Sequence, residues 1–160
     1  MLNYAQAQKN LVTNGGFEDE LYGWNDNGAA KQTPWDVKSG KNSCAIITTD
    51  ATQWVGIYQV IKIPKKAHDI AFSAWLKTEH VTKGADEWNG AVFIIVFLDG
   101  QDKEMPHGIN IANLTGDQQW SFAQKKINIP DNAFSFKILF AMGYAAGTML
   151  IDDVGAVVVD

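Results

Sequence analysis

Short apolar runs, alternating with polar residues and broken by turn signals, recur along the chain, while the 3.6-residue repeat of an amphipathic helix is almost absent. Seven strands are predicted, over residues 44–49, 54–63, 70–77, 91–99, 120–129, 134–142 and 148–159. Pro64-Lys65-Lys66, Asp99-Gly100, Thr115-Gly116-Asp117, Pro130-Asp131-Asn132 and Ala146-Gly147 separate them, and each has the chemistry of a turn. This pattern predicts an all-β sandwich filling the chain as one domain over 10–160, with 1–9 as a trimmed or flexible N-terminus.

Alternation assigns faces. Over 54–63, Val55, Ile57, Gln59, Ile61 and Ile63 face the core, with Gln59 as a buried, hydrogen-bonded amide; Trp54, Tyr58 and Lys62 face out. Over 134–142 the core set is Phe134, Phe136, Ile138, Phe140 and Met142, leaving Ser135, Lys137 and Leu139 outside. The run AVFIIVFL, 91–98, is apolar on both faces and should be central, with Phe93 and Phe97 buried or lining a groove. Trp and Tyr on a solvent face are the unusual feature, because clustered exposed aromatics mark binding surfaces.

Composition narrows the function classes. The 160 residues are 46% hydrophobic and carry a net charge of −5, with lysines but no arginine. There is therefore no electrostatic footprint for nucleic acid, and no guanidinium fork for phosphate or an acidic polymer. No run reaches the roughly 18 apolar residues that span a bilayer. Cys44 is alone, so no intrachain disulfide forms, and its apolar strand setting predicts an inert buried thiol. Ala5-Gln6-Ala7 matches the small-residue side of a signal cleavage point, which predicts an exported protein.

Catalytic signatures are missing. His68, His80 and His107 lack zinc spacing, and neither a G-x-S-x-G elbow nor a P-loop occurs. Carboxylates do cluster, at Glu18-Asp19-Glu20, Asp86-Glu87 and Asp152-Asp153. Asp152-Asp153 interrupts an otherwise apolar strand, where a carboxylate is costly unless paired or bound to a metal. Calcium suits it, with Glu18 as a second ligand; a carboxylate capping a turn at a strand end fits equally well.

Several motifs in order resemble the carbohydrate-binding modules of families four, nine and twenty-two. They are Asn10-Leu11-Val12-x-Asn14-Gly15-Gly16-Phe17-Glu18 with Trp24, Ser39-Gly40-Lys41-x-Ser43, Trp54-x-Gly56-x-Tyr58-Gln59, Phe72-Ser73-Ala74-Trp75-Leu76-Lys77, the segment 120–130, and Ile151-Asp152-Asp153-Val154. The resemblance implies a β-sandwich jelly roll of two antiparallel sheets, with a non-catalytic sugar groove and a structural calcium. The ligand would be a polysaccharide or oligosaccharide, and the setting association with a glycan-degrading system. By matched motif, calcium would be held by Glu18, by Asp152 (or Asp153), and by carbonyls of the Lys38-to-Lys41 turn. The family's first groove aromatic falls on Trp54, already placed outward with Tyr58.

Trp88, in a loop, either stacks on sugar or covers the sandwich edge. Trp75 faces the groove or the opposite sheet's surface, and His107 is a polar candidate. Trp24, Trp35 and Trp120 are expected to pack. The strand 134–142 lacks the carboxylate of xylan-binding members, so a xylan preference does not carry over. Two other classes remain: a jelly-roll scaffold for protein contacts, with the groove blocked by the 99–114 loop, and an enzyme with facing carboxylates.

Overall fold

A computed structural model describes residues 9–159. Apart from Lys9, the segment expected to be trimmed or flexible lies outside the described residues. Two five-stranded antiparallel sheets face each other. The first has the order β1 (Asn25–Asp26), β4 (Trp54–Lys62), β9 (Ser135–Gly143), β6 (Gly90–Leu98), β7 (Ile109–Leu114). The second has the order β2 (Ala30–Thr33), β3 (Ser43–Thr48), β10 (Ala145–Val158), β5 (Asp69–Lys83), β8 (Gly116–Asn128). This is the expected β-sandwich jelly roll. Its sheets alternate along the sequence, so most neighbours in space are distant in the chain.

Between the sheets lies an aromatic core. Phe93 and Phe140 stack with centroids 4.5 Å apart, and Phe72 meets Phe136 edge-on at 5.0 Å. Phe93 and Phe97 are both buried, which settles their two alternatives. Trp24 stacks on Phe17 at 5.2 Å and donates its indole N–H to the Asn14 carbonyl. Gln59 is buried as expected; its amide accepts from the Thr13 N–H and donates to the Thr13 carbonyl, pinning the first loop to β4.

Three expectations about faces are corrected. Phe134 is 47% exposed rather than core, with the Lys62 ammonium over its ring, because β9 begins one residue later and alternation does not reach into the preceding turn. Ser135, expected outside, is buried. Trp35 does not pack: it is 77% exposed, on a loop that crosses the outer face of the second sheet.

That loop, 34–42, determines which carboxylates are hidden. On β3 and β10, Cys44, Ile46, Met149 and Ile151 point to the core, so Ala45, Leu150 and Asp152 point away from it. All three are nonetheless buried, because the loop lies over them. Asp36 anchors it by accepting from the Lys77 ammonium and, at 2.9 Å, from the Trp120 indole. Burial alone would raise the Asp36 pKa, but the Lys77 and Trp120 donors outweigh it and hold the carboxyl below its ordinary value.

Candidate functional site

The outer face of the first sheet carries a groove of about 640 Å³. Trp54 and Tyr58 come from one face of β4, four residues apart, hence about 13 Å along the strand. Their partners on β9 are Gly143 and Leu139. A Cβ on Gly143 would lie 2.6 Å from the Trp54 ring, so the ring rests directly on backbone at that point. Gly56, between the two aromatics, has no room for a side chain either, since a Cβ there would meet the Phe140 carbonyl oxygen at 2.2 Å. The floor is completed by Leu139 and Val96.

The rim is polar. Lys137 sits 4.9 Å from the Tyr58 ring centroid and pairs with Glu104 at 2.6 Å. Asn27 donates to the Trp54 carbonyl and accepts from the Gly56 N–H, while Asn25 and Asp26 line the opposite wall. Asp26 accepts from the Gly28 N–H. The loop after β6 folds back on itself, with the Asp99 N–H donating to the Lys103 carbonyl, and contributes Glu104 to the groove wall.

The other candidates separate. Trp75 is on β5 of the second sheet, against Phe122 at 5.3 Å and under the Lys38 ammonium at 4.1 Å, on the far side of the sandwich from Trp54. His107 is exposed in the loop before β7 and is not among the residues lining the groove. Trp88 is 52% exposed and reaches Trp54 only through Tyr144, which meets both rings edge-on.

The carboxylates expected to hold calcium converge on the 38–42 turn. Asp152 accepts from the Lys38 and Ser39 amides and from the Asp153 N–H; Glu18 accepts from the Lys41 and Asn42 amides. Asp153 is exposed, at φ 47°, and takes the Ser39 hydroxyl at 2.6 Å. Of the pair, Asp152 is therefore the one that faces in. Burial pushes its carboxyl above the ordinary value against the opposing pull of those amides, whereas the Asn42 amide, ahead of that of Lys41, lowers Glu18.

For calcium, this donor set fits in kind: acidic oxygens gathered at a turn, with the Lys38 ammonium turned away to Trp75, although the Lys41 charge acts on Glu18 and would compete with an ion there. Among the described residues no three Asp, Glu, His or Cys side chains form a metal cage. An ion here would complete its shell with backbone carbonyls, which calcium accepts. At present the turn offers its amides to the carboxylates, so Lys38 and Lys41 take part through N–H rather than C=O.

A family model described as a carbohydrate binding domain, CBM_4_9, matches residues 9–147. The chain belongs to this family. No curated protein matches the module's sequence. Among solved structures, the CBM22-1 xylan-binding domain of Paenibacillus barcinonensis Xyn10C superposes with a TM-score of 0.65 at 20% identity, covering 98% of each chain. A family 16 carbohydrate-binding module gives 0.64 at 19% identity, over 92% of this module and 99% of that chain. The enzymatically active domain of bacteriophage CBA120 tailspike protein 4 gives 0.77 at 18% identity; it matches 94% of the module, which spans 21% of that chain. At such identities these likenesses establish the fold.

Several groove residues of the module were not picked out in the sequence. Lys137 and Leu139 carried a signal, since alternation had set them outside, next to Tyr58 in register. Asn25, Asp26, Glu104 and Tyr144 carried none, because they sit in short or irregular segments that only the fold brings to Trp54. Cys44 is buried as expected, its thiol pushed up to about 12 by burial, and takes no part in the site.

Proposed function

We propose that the module binds a neutral polysaccharide or oligosaccharide chain by stacking sugar rings on Trp54 and Tyr58, without catalysing its cleavage. The observation that carries this reading is the Trp54 ring laid on Gly143 in an open groove whose rim is made of amides and charged side chains. Pyranose C–H faces are apolar and stack on aromatic rings, while the equatorial hydroxyls need polar partners at the edges. Asn25, Asn27, Asp26 and Glu104 offer both donors and acceptors there. Glu104 is committed to Lys137 and Asp26 to a backbone amide, which suits hydroxyl binding better than proton transfer.

Solved neighbours support a linked sugar chain as ligand without naming the unit: one is a complex with β-1,4-galactotriose, another a xylan-binding domain. The same reading places the module outside the cell, beside a glycan-degrading system, where such polymers are met. A calcium ion held by Glu18, Asp152 and the 38–41 turn would fasten that turn to the first loop and to β10, a structural role remote from the groove.

Affinity electrophoresis through gels containing xylan, β-glucan or galactan tests the binding reading. The native chain should be retarded by one of these polymers, and Trp54→Ala should run as in a plain gel with an unchanged melting temperature. Undiminished retardation of Trp54→Ala would remove Trp54 from the site.

A further inference from the structure

Beyond the Trp54 end of the groove the surface continues into a second hollow of about 300 Å³. Trp88 and Tyr144 wall it, with Asp86, Asn89 and Ala51 at its base. The two rings stand at 89° with centroids 5.5 Å apart, and Tyr144 meets Trp54 at 6.2 Å. Tyr144 thus links the Trp54 ring of the groove to the Trp88 ring of the hollow. Trp88 is positioned as well as exposed, because the Asn113 side-chain amide donates to its carbonyl at 3.1 Å.

Two observations set this hollow apart from ordinary loop cover. Asn89 is 3% exposed; its Oδ1 accepts from the Asp86 N–H, and its Nδ2 has no hydrogen-bond partner. Buried amide hydrogens nearly always find an acceptor, so an unpartnered one in a residue lining the hollow is unusual. Tyr144 adopts φ 50°, uncommon for a residue with a large ring. It is fixed there by its N–H donating to the Gln53 carbonyl and its own carbonyl accepting from the Gly84 N–H. Such backbone persists only where its surroundings impose it, and here it sets the ring between two tryptophans.

We propose that the hollow walled by Trp88 and Tyr144 is a distal subsite of the same glycan site, so that the ligand is an extended linear chain of several sugar units. This rests on the binding reading above. A sugar beyond Trp54 stacks against Trp88 with its edge toward Tyr144. A chain too short to fill both places uses the groove alone.

Calorimetric titration of the native chain with xylo-, cello- and β-1,4-galacto-oligosaccharides of three and six units tests it. The hexamer of the preferred series should bind about tenfold more tightly than its trimer. Trp88→Ala should remove that advantage and leave trimer affinity unchanged, while Trp88→Tyr, which keeps a ring, should retain most of it. Hexamer affinity unaffected by Trp88→Ala, or an equal loss on trimer and hexamer, would overturn the subsite; trimer binding abolished by Trp54→Ala would still uphold the groove. No binding of any series by the native chain would overturn both.

Discussion

Gly143 shows how a residue with no side chain can define a binding surface. Its neighbour across the sheet, Trp54, lies where a Cβ would be, only 2.6 Å from it. The backbone of β9 tolerates alanine here, since its φ is not in the left-handed region. Gly143→Ala should therefore fold but lift the Trp54 ring off the floor, weakening sugar binding about tenfold. Titration of the variant beside the native chain checks this, with retained affinity counting against a fixed ring. Trp54 itself was legible in the sequence, because Val55, Ile57 and Gln59 fixed the phase of its strand. Tyr144 was not: it falls between two strands, at a positive φ where alternation has no meaning. Trp35 misled in the opposite direction, since an aromatic at a turn entry gives no sign of whether a sheet lies beneath it or water surrounds it.

Strands with apolar alternation, such as β4 and β9, were found close to their true limits, as was β6, a continuous apolar run. Those missed, β1, β2 and β7, are short, and β1 is two exposed polar residues held only by pairing with β4. β5 runs to Lys83, beyond the expected 77, through the exposed pair Glu79 and His80, which breaks the pattern without breaking the strand. The 34–42 loop has the clearest consequence for stability. Asp152, buried beneath it, has its pKa raised by burial, so without metal its contribution is most favourable in acid and is lost as pH rises through the raised value. Calcium would reverse that slope, because it binds the ionised form and competes with protons. The melting temperature should rise with added calcium at pH 7 and fall with chelator, and this difference should shrink toward pH 4 and vanish in Asp152→Asn. Scanning calorimetry across that range decides it; equal melting with and without calcium at pH 7 would argue against a bound ion.

Charge over the whole chain sets a further expectation. With a net charge of −5 and Lys137, the lysine lining the groove among the described residues, already paired with Glu104, the groove offers a polyanion no unpaired ammonium. Affinity for a neutral oligosaccharide should change less than about twofold between roughly 0.05 and 0.5 M salt, because stacking and hydroxyl hydrogen bonds are scarcely screened. A steep fall with salt would instead indicate an acidic ligand. The start and finish of the folded body also lie together. The Leu11 N–H donates to the Ala156 carbonyl, the Val154 N–H to the Gly15 carbonyl, and the Asn10 side chain bridges Val154 and Ala156. These contacts belong to the second sheet, while the groove opens from the first. Residues 10 and 156 thus meet at one place on the sheet opposite the groove, so the folded body could be spliced as a cassette into a host loop, or tethered to a bead, with its groove left uncovered.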